Sequence, residues 1–301
     1  MADPRPTASV IVPFAGTSDQ LTDLLEELTR LRLSQGDELI VADNRAGARP
    51  GRHGPIRVEG AVGIRTPAFA RNRAARTSHG EWLVFIDADT RPAPSLLDDY
   101  FTPDPKGGTG VLAGAIHDVA ASASAVATYS AARGHMSQET TLRRAWAYAQ
   151  TANCAVRRSA FEQVGGFVET ARAGEDADLC FRLSRAGWAI EERPAAVVEH
   201  RARATLGSLV GQLVRHGSGA AWVERRFPGS FPAPSPLQLI RRFGRDARTA
   251  AGSARDRAAA EAALLDLVGG LAFELGRLLP NRRGFTRNHS GYGNEIAKLE
   301  D

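Results

Sequence analysis

Short apolar runs alternate with amphipathic stretches along this chain. Residues 8–14 (ASVIVPF) are rich in β-branched side chains with no polar alternation, as expected of a strand buried on both faces. Thr17-Ser18-Asp19-Gln20 then has the spacing of a capping box, and Leu21, Leu24, Leu25, Leu28 and Leu31 fall on one helical face. A second strand is expected at residues 38–42, ending in Asp43-Asn44, and a short third one around residues 56–59. Residues 67–77 read as a helix with Pro67 in its first turn, and residues 81–86 (EWLVFI) as another buried strand running into Asp87-Ala88-Asp89.

The second half continues with strands expected at 111–117, 153–156 and 195–200. Helix is expected over 120–149 with a break near Gly134, over 159–164 closed by Gly165-Gly166, over 175–186 closed by Gly187, and over 206–226. Strands separated by helices predict an α/β fold with a mostly parallel central sheet flanked by helices. In such sheets ligands bind where strands end, and the polar residues at 13–16, 43–44 and 87–89 sit at three such ends, pointing to one crevice. Pro228, Pro232, Pro234 and Pro236 mark residues 229–236 as a linker, followed by a helical extension over 237–301. The expected division is a catalytic unit over 1–228, with halves at about 8–117 and 118–228, then linker and extension.

Composition narrows the picture. With 301 residues, 43% hydrophobic and 24% charged, the chain can bury a sizeable core. The net charge of +4 is carried almost wholly by arginines, whose planar forks suit phosphate, but the excess is too small to indicate nucleic acid. Two cysteines, Cys154 and Cys180, exclude a disulfide framework and fit reduced thiols in a cytoplasmic protein. No signal peptide or membrane-spanning run is expected, because the most apolar segment, residues 262–279, is interrupted by Asp266, Glu274 and Arg277.

Asp87 and Asp89 lie two apart at the end of an extended segment, so their carboxylates emerge on one side and repel each other unless a cation intervenes. Oxygen-rich pairs of this kind suit Mg²⁺ or Mn²⁺, which take phosphate oxygens and water as further ligands.

The ordered segments VIVPF, ELIVADN, ARNRAARTSHGEWLVFIDADT, CAVRRSAFEQVGGF and GEDADLCFRLSRAGW resemble the inverting family 2 glycosyltransferases of GT-A fold over residues 8–205. The resemblance implies a nucleotide-sugar donor, UDP-linked by default, and a divalent metal. It places Pro13 and Phe14 in the base pocket, Asp43 against the uracil or ribose, and Arg71 near the base or diphosphate. Asp87 would face ribose and metal, with Ala88 between it and the metal ligand Asp89, and His200 would complete the metal shell. Asp176 would be the general base, Glu175 would orient it or the acceptor, and Gly166-Phe167 would form an acceptor-side turn. The residues alone also admit helix N-capping for Glu175 and Asp176 and simple packing for Gly166 and Phe167.

Two other functions compete with this one. A sugar-nucleotide nucleotidyltransferase would want a Gly-rich basic loop after the first strand, whereas residues 14–17 hold one Gly and no Lys or Arg. A silent sugar-nucleotide-binding scaffold has no use for the carboxylates at 87, 89 and 176. The acceptor, whether glycan, lipid, peptide or small molecule, is not encoded in any motif. In the extension, Leu264, Leu265, Val268, Leu271, Leu275, Leu278 and Leu279 approximate one stripe, downstream of Arg241, Arg242, Arg245 and Arg248. The stripe is expected to pack on the catalytic unit or a second copy, or else to touch the inner face of a membrane.

Overall fold

The computed structural model describes residues 5–252 and 256–282 and builds them around a nine-stranded sheet. The chain runs β1 (Ala8–Phe14), α1 (Ser18–Leu28), β2 (Glu38–Asp43), β3 (Gly51–His53), β4 (Ile56–Gly60), α2 (Pro67–Thr77), β5 (Trp82–Ile86), β6 (Thr90–Pro92) and α3 (Leu96–Tyr100). It continues through β7 (Thr109–Val119), α4 (Ala125–Arg133), α5 (Gln138–Leu142), β8 (Asn153–Arg157), α6 (Arg158–Gln163), α7 (Glu175–Arg185) and β9 (Ala189–Arg201). Three long helices follow: α8 (Leu206–Arg226), α9 (Pro236–Gly252) and α10 (Arg257–Arg277).

The strand order is β3-β4-β2-β1-β5-β8-β7-β9-β6. Neighbours from β4 to β5 are parallel, as a run of strand-helix-strand units dictates. Beyond β5 the sheet is mixed: β8 runs antiparallel between β5 and β7, β9 lies parallel to β7, and β6 is antiparallel to β9. Alternate residues of the buried strands serve two cores. Val10 and Val12 face Leu24, Leu25 and Leu28 of α1, while Ile11 faces the alanines of α2 together with Leu179 and Leu183 of α7.

Local signals act where expected. The Thr17 hydroxyl and the Gln20 side chain close a full capping box on α1, and Thr66 caps α2 ahead of Pro67. Three elements have no periodic signature: β3 is wholly exposed, β6 is three residues long and ends in Pro92, and α3 spans barely one turn. Strand β9 starts six residues before the expected 195 because β7 pairs with it along nearly its whole length, carrying the charged Glu191, Glu192 and Arg193 into the ladder. Of the helix expected over 120–149, only α4 and α5 form; Gly134, left-handed at φ 56°, closes the first.

The C-terminal helices pack on this frame. Glycines let α8 and α10 approach until their backbones touch: a Cβ on Gly217 would meet the carbonyl of Phe273, and one on Gly276 the carbonyl of Val214. Leu265 of α10 is buried against Tyr129, Leu209 and Leu213, and Asp266 accepts a 2.8 Å hydrogen bond from the Tyr129 hydroxyl. The expected single leucine stripe is therefore divided, since Leu264, Leu271, Leu275 and Leu278 are exposed. The proline-rich segment is pinned at several points. Glu224 accepts from the backbone N–H of Gly229 and Phe231, Arg277 donates to the Phe231 carbonyl at 2.9 Å, and Arg144 lies over the Phe231 ring at 4.4 Å. Among the described residues no helix is long and apolar enough to cross a membrane. The part of the extension at 283–301 lies outside the described residues.

Candidate functional site

A cleft of about 1090 Å³ opens at the carboxyl ends of β1 and β5. Pro13, Phe14, Arg71, Asp87, Ala88, Asp89, Glu175, Asp176 and His200 all line it. A smaller cavity of about 320 Å³ shares Pro13, Phe14 and Pro67 with the cleft and adds Asn44, Arg65 and Thr66.

Two polar nodes organise the cleft. The first centres on Arg71, which α2 presents from its buried face with only 2% of the residue exposed. One guanidinium nitrogen donates to Asp87 Oδ1 at 2.6 Å and another to Glu175 Oε1 at 2.9 Å, tying the end of β5 to the start of α7. Burial opposes its charge, but Asp87 and Glu175 outweigh that and raise the guanidinium pKa further. Its Nε has no hydrogen-bond partner among the described residues. Asp176 follows at the second position of α7, whose N-cap is Gly174, so neither acid occupies the capping position. The Asp176 carboxylate accepts from the Ala177 N–H at 2.8 Å. Burial, reinforced by the charge of Glu175, pushes its pKa up to about 7.

The second node is assembled by β6, an element with no sequence signature. Its antiparallel pairing sets Thr90 opposite His200, and the N–H of Arg201 donates to the carbonyl of Asp89 at 3.0 Å. The carboxylate of Asp89 consequently lies 3.6 Å from His200 Nε2 and 3.0 Å from an Arg203 nitrogen. On the other side, β7 pairs Asp118 with His200, and Asp118 Oδ1 lies 2.6 Å from Nδ1. Burial alone would lower the His200 pKa, but the bonds with Asp118 and Asp89 raise it to about 9. Burial likewise opposes ionisation of Asp89, yet His200 and Arg203 hold its carboxyl below the ordinary range.

Three sequence-predicted residues lie off the cleft. Asp43, expected at the base or ribose, is 1% exposed and closed off by Arg45, whose Nε and Nη2 donate to both its oxygens at 2.8–3.1 Å. Gly166 and Phe167, expected on the acceptor side, sit beneath it instead. Phe167 packs on Phe85 and Phe161 and lies 5.7 Å from the Arg71 guanidinium, so it supports the first node. Conversely, sequence reasoning passed over Asp118, which carries no motif, and Gln212, Arg215 and His216, which α8 brings to the cleft. It also passed over Tyr148 and Phe231, which line the cleft with their rings 5.9 Å apart. The spacing of Gln212, Arg215 and His216 on one helical face was the available signal.

A family model described as glycosyl transferase family group 2 matches residues 82–262, more than half of the chain. The chain belongs to this family. Among curated proteins, this family member is similar to the pre-mycofactocin glycosyltransferase of two Mycobacterium tuberculosis strains, 29% identical over an alignment of 246 residues that covers 76% of this chain and 51% of theirs. It thus spans about half the length of the curated relatives it matches. Among solved structures, a mannosyltransferase of Pyrobaculum calidifontis, in complex with GDP-Man and Mn²⁺, superposes with a TM-score of 0.56 at 18% identity, covering 92% of this chain and 74% of that one. A mycobacterial protein gives 0.51 at 20% identity, covering 77% and 76%, and GalNAc-T7 with UDP, GalNAc and Mn²⁺ gives 0.50 at 13% identity, covering 80% and 54%. At these identities the likeness is one of fold, and the fold is that of GT-A glycosyltransferases.

Proposed function

We propose that the chain transfers a sugar from a nucleotide diphosphate sugar to an acceptor with inversion at the anomeric carbon. The observation that carries this reading is the Arg71 bridge, which holds Asp87 at the end of β5 and Glu175 at the start of α7 in one cleft and so brings Asp176 to face the strand-end carboxylates. Solved proteins of this fold bind GDP-Man or UDP, which supports a nucleotide-sugar donor; the family resemblance makes UDP the first base to try.

In the reaction, the acceptor oxygen bonds to the anomeric carbon as the carbon–oxygen bond to the diphosphate breaks, and Asp176 takes the acceptor's proton. A carboxyl whose pKa is raised to about 7 suits that role, because it is substantially ionised at neutral pH yet basic enough to accept a proton. Charge collecting on the leaving diphosphate faces Arg203, which pairs with Asp89 at the cleft wall.

Among the described residues no group of three His, Cys, Asp or Glu side chains is arranged to hold a metal. The donor set nevertheless fits one that takes its other ligands from phosphate and water: Asp118 fixes His200 through Nδ1 and leaves Nε2 directed at Asp89. Asp89 and His200, with Asp87 beside them, would hold Mn²⁺ or Mg²⁺, which supplies Lewis-acid stabilisation to the departing diphosphate.

The test is a panel of UDP-, GDP- and dTDP-sugars with Mn²⁺ and mixed acceptors, following nucleoside diphosphate release and the anomeric proton by NMR. Release of nucleoside diphosphate with an inverted product is expected. A retained anomeric configuration would overturn inversion, and pyrophosphate release would overturn glycosyl transfer.

A further inference from the structure

The face that α9 turns to solvent combines charge and exposed apolar groups in an unusual way. Leu237 and Ile240 are exposed, the latter at 69%, and Arg241, Arg245 and Arg248 share their arc at helical spacing. No carboxylate lies on this arc. The only acidic residue of α9, Asp246, is on the opposite side with Arg242, which also reaches Glu274 of α10 at 3.7 Å. None of the three exposed arginines has an ion-pair partner among the described residues, whereas Arg242 on the other side of the helix has two. On α10 and its C-cap, Leu264, Leu271, Leu275 and Leu278 repeat at helical spacing on the solvent side, Leu278 being 81% exposed.

We infer that this helix pair seats the protein on an anionic lipid surface, with the α9 arginines at the phosphate headgroups and Leu237 and Ile240 reaching into the acyl boundary. Charge complementarity selects this occupant. A second copy of the chain docking the same face would set arginine against arginine, and a nucleic acid would leave Leu237 and Ile240 without an apolar environment. A lipid surface satisfies both groups at once, and a helix of this type lies in the interface plane rather than crossing it. The pair also walls the cleft, through Arg242 on the side of α9 opposite the arginine arc and through Phe273, Glu274 and Arg277, so the seat lies on the outer side of that wall.

The experiment is co-flotation of the full chain with vesicles of phosphatidylcholine alone or mixed with phosphatidylglycerol. Binding is expected to the mixed vesicles only and to weaken as salt rises. Arg241→Gln, Arg245→Gln and Arg248→Gln together should weaken it roughly a hundredfold, at about fivefold for each arginine. Leu237→Asp with Ile240→Asp should abolish it, with circular dichroism and thermal unfolding unchanged because both positions are exposed. Failure to float with the anionic vesicles overturns the proposal. So does equal binding to neutral vesicles, or a dimer seen by sedimentation that the Asp variant dissociates.

Discussion

Asp87 and Asp89 leave the same strand end two residues apart, but their surroundings differ in kind. Asp87 is bonded to a guanidinium that is almost wholly buried, shared with Glu175 and underlain by Phe167. Asp89 faces a histidine and the half-buried Arg203, both of which line the cleft. The difference lies in what each acid would give up by changing partner. Releasing Asp87 strands part of a buried cation, whereas releasing Asp89 leaves the buried His200 still bonded to Asp118 and frees only the partly exposed Arg203. One acid braces the site and its near neighbour stays exchangeable, ready for a ligand.

The strongest way to sharpen this contrast is at the residue the brace positions. Asp176→Asn should lower kcat by about 10² to 10⁴-fold while nucleotide affinity, measured by calorimetry, is retained. An unchanged kcat would remove Asp176 from the reaction. On the exchangeable side, Asp118→Asn loosens the hold on His200 and should reduce Mn²⁺ affinity about 10- to 100-fold, read by fluorescence quenching or calorimetry. Unaltered affinity would leave His200 with no part in metal binding. The contrast itself is tested by two alanine variants. Asp87→Ala should cost about 1–3 kcal/mol in urea unfolding because a buried donor loses its acceptor, while Asp89→Ala should cost under about 1 kcal/mol. Equal losses would break the comparison.

A further effect is in the pH dependence of stability. A folded-state pKa of about 7, against the ordinary 3.8, means that the folded chain binds the Asp176 proton more tightly than the unfolded one between those values. Stability from this group is therefore lost as pH rises from about 4 through 7. Asp176→Asn should accordingly raise Tm at pH 8 more than at pH 4. A gain of the same size at both would show that the carboxyl is not raised.

The legible parts of the fold were those whose physics is local. β1 and β5 announce themselves as uninterrupted apolar runs, and Thr17 to Gln20 carries its own capping chemistry. Arg71, Asp87, Asp89, Glu175, Asp176 and His200 were all placed near one another through family resemblance, and the cleft does bring them together. What was hidden depends on pairing. Nothing in Thr90-Arg91-Pro92 predicts a strand, yet its ladder with β9 carries His200 to Asp89. Asp118 acquires its importance only from the register of β7 against β9. Arg45 could not be foreseen as the cover of Asp43, because opposite charges two residues apart read equally well as a solvated turn.

The glycine contacts between α8 and α10 have a mechanical consequence. With main chain pressed on main chain at Gly217 and Gly276, neither rod has side chains there over which to slide. A push on the outer surface of α10 is thus passed to the stretch of α8 that carries Gln212, Arg215 and His216 into the cleft.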